Sequence, residues 1–299
     1  MNFSLKQALK VFLIFACAIG VASASIIITN KNNDNAKSKN DSLWNVVDGS
    51  NNSDDNDTSA DSKVGDIVSK TESQVGKYAD IDGDGTVDGI IFADLMIGGS
   101  GKYGIYNYSY NIPKISSSKD YYVSQKDYTN DLGGTADVLT PTGEGNNRFY
   151  ILALQDFDSK NHTWYQALSS SDNYFGGIVT KSFGDGRENT NIMIKKWNKE
   201  EFGKQNDYLP FTDIFGEIQT QAQSGWFIPS SDEWAAAADN LNINSSNYLT
   251  KGFKENSSYG TSSLEDYPND VTIWYIQFNG NQKISSGWGT FKYRLATTF

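Results

Sequence analysis

The sequence predicts an α+β protein of antiparallel sheets with about three helices, set behind an N-terminal apolar segment and a polar tether. Three observations predict it. Short apolar runs bounded by Gly, Asn and Asp recur at 75–79, 89–95, 147–154 and 272–278, the pattern of strands. Helical spacing of apolar residues is confined to the middle of the chain, about 190–241. The first 63 residues hold an uncharged stretch and then a polar one with little to bury.

The totals narrow the function. With 299 residues, 38% of them hydrophobic, the chain can build one large domain or two small ones. A net charge of −11 argues against nucleic acid or an anionic membrane surface as partner. Cys17 is the single cysteine and His162 the single histidine, so the chain beyond the apolar segment has neither a disulfide nor a thiol nucleophile.

Lys6 and Lys10 precede a run from Val11 to Thr29 that carries no charge. A basic start, an apolar centre and Ala22-Ser23-Ala24 as a small-residue cleavage site match a signal peptide. The run also continues through Ile26–Ile28 and is long enough to span a bilayer, so residues 1–29 read as signal peptide or signal anchor. In either case the rest of the chain is expected outside the cell, touching the membrane only through that anchor. Residues 30–63 are Asn, Asp, Ser and Lys and read as a disordered tether; the globular part is expected over 64–299.

Between two predicted strands, Val75–Ala79 and Gly89–Leu95, lies DIDGDGTVDG, residues 80–89. Asp80, Asp82, Asp84 and Asp88 fall at positions 1, 3, 5 and 9 of a calcium loop, and Gly85 falls at position 6. Calcium takes several oxygens, and alternating Asp residues aim them at one point; Thr86 would add its carbonyl. Without a cation these carboxylates would repel, so calcium is favoured over a merely solvated turn. Position 12 of the loop (80–91) is Ile91, where a bidentate acid would sit, and Asp94 is the candidate distant ligand. Losing the bidentate residue implies affinity of about 10⁻⁴–10⁻³ M, which suits a structural clip in a calcium-rich exterior.

Further along, 98–112 reads as a Gly- and Tyr-rich loop leading into a strand, and 147–154 as a strand buried on both faces. Asp156, Asp158 and Asn161 hint at a second ion site, but Lys160 at its fifth position favours a polar turn, with His162 at the surface. Three helices follow, about 190–203, about 213–223 and one capped by Ser230. In the last, Ser230 and Glu233 form a capping box, and Trp234, Ala237, Ala238 and Leu241 make its apolar stripe. A polar stretch over 242–269 reads as a long loop. Strand 272–278 then turns at Asn279-Gly280, and Phe291, Tyr293 and Leu295 alternate with Lys292 and Arg294 in a closing strand.

GWFIPSSDEWAAAA (225–238), with WYIQFNG (274–280) and YRLA (293–296), resembles the signature of bacterial C-type-lectin-like domains. These include collagen-like-protein C-terminal (Lcl-type) domains and the formylglycine-generating-enzyme superfamily. The resemblance spans about 75–299 and implies a C-type-lectin-like fold. It does not bring that superfamily's chemistry, because this domain lacks the cysteine pair of one enzyme class and the histidine triad of another. SSYGTSS (257–263) also departs from the Trp-Ser-Ser-Ser segment common before the Trp-Tyr strand.

The expectation is an exported, surface or secreted, adhesin-like module stabilised by calcium and binding an extracellular glycan or protein. Its ligand face is expected where the 243–269 loop meets the 285–290 turn, with Trp288, Tyr259, Tyr267 and Lys283 as contacts. One rival is a carboxylate-dependent glycoside-active enzyme, which needs no Cys or His. The other is a structural envelope or appendage protein.

Overall fold

The computed structural model describes residues 62–164, 179–198, 213–266, 271–287 and 289–299. The apolar segment 1–29 and the tether to residue 61 lie outside them. Among the described residues no helix is long and apolar enough to cross a membrane. The compact unit runs from Ser59 to the C-terminus. Its contacts begin before Val64, because Ser62 Oγ donates to Asp137 and Lys126 Nζ donates to the Ser62 carbonyl.

The protein is α+β. Its main sheet holds β1 (Tyr78–Ala79), β2 (Gly89–Asp94), β5 (Asp120–Asn130), β6 (Gly134–Thr142), β7 (Phe149–Ala153) and β13 (Ala296–Thr298). Their order is β13-β7-β2-β1-β6-β5, with β1 and β6 parallel and the other neighbours antiparallel. The continuous apolar run of 147–154 is explained by this order: β7 is interior, and Phe149, Ile151 and Leu152 are buried. Tyr121, Phe149 and Phe299 pack there in tilted and edge-on contacts, so Phe299 belongs to a core.

The stretch 98–112, expected as a loop leading into a strand, has that strand as β4 (Tyr108–Ile112), but its first part is a strand too, β3 (Gly99–Tyr103), and the two pair as a hairpin. Its alternation sends Tyr103, Tyr110 and Ile112 into the core and the residues between them outward. A second sheet joins β9 (Ser258–Asp266), β10 (Val271–Gln277) and β11 (Lys283–Gly287) in the order β11-β10-β9. The hairpin at Asn279-Gly280 joins β10 to β11, with Gly280 in the left-handed region that such a turn needs. Strand β9 corrects the long-loop expectation for 242–269. Thr261, Ser262 and Ser263 are polar yet buried, because Thr261 Oγ1 donates to the Trp274 carbonyl and Ser263 Oγ to the Thr180 carbonyl.

Helix α1 (Gly186–Asn198) begins earlier than its periodicity suggests, and residues 199–203 of that expectation lie outside the described residues. The second predicted helix breaks at Ile218 into α2 (Ile214–Glu217) and α3 (Gln219–Gln223). Helix α4 (Ser231–Asn240) carries the complete capping box: Glu233 N donates to Ser230 Oγ and Ser230 N donates to Glu233 Oε2. It buries Trp234 and Ala235–Ala238 against the β3–β4 hairpin, β2 and the second sheet. The closing strand is divided. β12 (Thr290–Phe291) pairs with β8 (His162–Thr163), while 293–295 carries no strand and β13 returns to the main sheet.

Candidate metal site and an adjoining groove

Asp80 follows β1 and Asp88 precedes β2, so the antiparallel pairing of these strands holds both ends of the acidic loop together. Asp88 N donates to the Ala79 carbonyl and closes it. Gly83 and Gly85 both adopt positive φ, and they turn the chain back within the loop. Asp80 is buried; its carboxylate accepts from the N–H groups of Gly83 (2.8 Å) and Gly85 (3.1 Å), and from Thr140 Oγ1 (3.4 Å). Asp88 Oδ2 accepts from Ile81 N at 2.8 Å.

One carboxylate oxygen each from Asp80, Asp82 and Asp88 lie within 4.8 Å of one another, and this group could hold a metal ion. Burial raises the Asp88 carboxyl above the usual carboxylate range; the Ile81 N–H lowers it, and Asp82, Asp80 and Asp84 raise it further. A cation placed among them would reverse that repulsion. Asp84 is exposed and is not one of the three convergent carboxylates, and Thr86, also exposed, donates its N–H to Asp84 Oδ1 at 2.7 Å. Asp94 is not a ligand. Its two oxygens accept from Arg148 Nε and Nη2, both at 2.8 Å, in a buried ion pair.

The expected ligand face is not assembled as the sequence suggests. Tyr259 is fully buried among Trp234, Phe253 and Phe278, and its hydroxyl donates to Asp156 Oδ2 at 3.0 Å. It offers a ligand nothing. Lys283 is half-buried on β11. Tyr267 and Trp288 lie outside the described residues.

The polar turn after β7 differs most from its expectation. His162 is buried rather than superficial, because β8 pairs it with Phe291 and its ring packs against Phe157 and Tyr293. Its Nε2 lies 3.0 Å from both oxygens of Asp158. Asp156 takes no part in a second ion site, since Arg294 Nε and Nη2 donate to its Oδ1 at 2.9 and 2.7 Å. Lys292 and Arg294, the polar half of the expected closing strand, are both buried.

Two adjoining cavities of about 590 and 480 Å³ open beside this turn and share Asn130, Leu154, Gln155, Asp156 and Phe157. The larger extends toward Lys251–Lys254, and the smaller ends at Val87 and Asp88, where the acidic loop rejoins the sheet. Sequence reasoning missed this groove because its walls come from separate stretches: 87–88, β5, the turn after β7, 221–226, the 251–254 turn and 294–295. The only available signal was the charges of Asp156, Asp158, Lys292 and Arg294, whose partners are not legible in the sequence.

No family model, curated protein or solved structure matches this chain.

Proposed function

We propose that this chain is an exported, cell-surface or secreted ligand-binding module of C-type-lectin-like fold, with calcium bound by the 80–88 loop as a structural clip. The convergence of Asp80, Asp82 and Asp88 at the β1–β2 junction supports the metal clip. The donors are all oxygen, with no thiolate or imidazole, which favours a hard cation. Two exposed carboxylates, Asp82 and Asp84, leave the loop open to water, as fits the seven- or eight-fold shell of calcium better than a tight magnesium octahedron. The C-type-lectin-like reading is supported by the placement of the 225–238 motif, whose Trp234 is the core of α4 and faces the strand that holds WYIQF.

The glycoside-active rival has weaker support. Glu233, pushed up to about 7 mainly by burial, is a carboxyl held near neutrality, but it is enclosed as a helix cap and borders neither cavity of the groove. A reducing-end assay on polysaccharides that turned over with the purified protein would restore the enzyme.

Calcium binding to the folded state alone should stabilise it by about 1.4–2.7 kcal/mol at roughly 10 mM calcium, given affinity of about 10⁻⁴–10⁻³ M. For a domain of this size that is a rise of roughly 3–10 °C in melting temperature relative to chelator. Asp82→Ala together with Asp84→Ala should abolish the rise while leaving the chelator value nearly unchanged, since both side chains are exposed. Equal melting of the wild type with and without calcium removes the metal from the account.

A further inference from the structure

The turn 154–160 leaves β7 and crosses the surface before β8, and its side chains alone cannot hold it. Three buried groups from elsewhere do so. Arg294 grips Asp156, His162 grips Asp158, and Lys292 Nζ donates to the carbonyls of Ser159 and Lys160. Phe157 N adds a bond to the Tyr293 carbonyl at 2.8 Å. Buried charges are expensive to desolvate and contribute little net stability, so two buried cations, Lys292 and Arg294, spent on one surface turn are better explained by the rigidity they impose. A wall held this way is pre-organised, which is what a binding site requires.

The chemistry of the lining selects the occupant. Asp156 and Asp158 are each paired, with Arg294 and His162. Lys251 Nζ is spent on the Leu132 carbonyl at 2.9 Å. In the larger cavity the remaining charges, Asp131 and Lys254, are exposed and of opposite sign, so none there favours an anion or a cation, and the smaller cavity ends at Asp88, whose loop carboxylates disfavour an anion. Tyr128, Phe157 and Trp226 contribute half-buried aromatic surface, and Asn130 and Gln155 contribute amides that both donate and accept. Arg294 Nη1, buried at the wall of the larger cavity, has no hydrogen-bond partner among the described residues. Apolar rings beside amides and a guanidinium whose charge Asp156 balances suit a molecule with C–H faces and hydroxyl edges.

We propose that this groove, from the 251–254 turn past Gln155 to Asp88 at the acidic loop, binds a neutral oligosaccharide chain. The proposal rests on the ligand-binding reading above and locates its site away from the expected 285–290 face. The full-length protein should be titrated with maltohexaose, cellohexaose, mannohexaose and chitohexaose, and with hexagalacturonate, by calorimetry and saturation-transfer NMR. Gln155 is exposed and lines both cavities, so Gln155→Trp blocks the groove without removing a core contact. The expected result is binding of at least one neutral hexasaccharide, weakened about tenfold or more by Gln155→Trp and less by Gln155→Ala. Lys102→Ala on β3, outside the groove, should bind as wild type. If Gln155→Trp melts early, Gln155→Ala in the same titration decides. The proposal is overturned if no neutral hexasaccharide binds, if binding ignores both Gln155 substitutions, or if hexagalacturonate binds more tightly than every neutral chain. Melting with calcium and with chelator, read on the same samples, separates the two claims. A calcium response without sugar binding sinks the groove alone, and sugar binding without a calcium response sinks the clip alone.

Discussion

Glu233 shows how much one side chain can be asked to do. Its Oε2 accepts from Ser230 N at 2.7 Å, and its Oε1 accepts from Gly184 N at 3.0 Å and Gly186 N at 3.4 Å. It therefore caps α4 and pins the start of α1 at once. Burial is the dominant influence on its carboxyl and moves it from 4.5 to about 7, against the pull of those three N–H groups. A folded-state value above the unfolded one means that the native state holds the proton more tightly. The corresponding stability is present below about pH 4.5 and is lost as pH rises through about 7, a change on the order of 3 kcal/mol. Glu233→Gln cannot titrate, so the slope of unfolding free energy between pH 5 and about 7.5 should be less negative in the variant than in wild type. Urea titrations across that range check it; identical slopes would show that Glu233 has an ordinary carboxyl.

At the scale of the element, α4 is the clearest case of local sequence dictating structure. Ser230 is fully buried, and its hydroxyl both accepts from Glu233 N and donates to the Ser182 carbonyl at 2.9 Å. Removing it leaves a helix N–H and a loop carbonyl unpartnered together. Ser230→Ala should therefore cost about 2 kcal/mol, the upper end of capping losses, read as a lower urea midpoint with an unchanged slope. The broken second helix has the opposite lesson. A Cβ on Gly216 would lie 2.5 Å from Trp197 Cζ2, so α2 meets α1 through a glycine. The position serves packing between two helices rather than the propensity of either.

Across the whole molecule, Arg148 ties distant segments together. All its nitrogens are used: Nε and Nη2 on Asp94, Nη1 on the Ser69 carbonyl at 2.8 Å, and Nη2 also on the Glu72 carbonyl at 3.0 Å. Two carbonyls of the strap at 69–72 thus converge on one buried residue beside β7. Arg148→Ala strands the Asp94 carboxylate in the interior and should cost about 3–5 kcal/mol. Lys70→Ala, which removes the exposed pair with Asp120, should cost about 1 kcal/mol or less. Thermal unfolding of the two variants side by side measures the contrast, and comparable losses would contradict a buried role for Arg148.

The features legible in the sequence are those whose physics is local. The turn at 80–88 rests on two glycines and on Asp-to-N–H bonds that span at most seven residues. The α4 capping box closes over three residues, and the Asn279-Gly280 turn joins adjacent strands. What the tertiary structure alone decided is which polar side chains are buried, because burial depends on partners far along the chain. Arg294 finds Asp156 across 138 residues, and Tyr259 finds the same Asp156 across 103. Strand β9 was hidden for that reason: Thr261 and Ser263 are acceptable in a core only once Trp274 and Thr180 offer their carbonyls. The groove was hidden likewise, since its walls come from six segments and no short window of sequence contains two of them. Local geometry can be written in consecutive residues, whereas a charge's solvation is set by whatever the fold places against it.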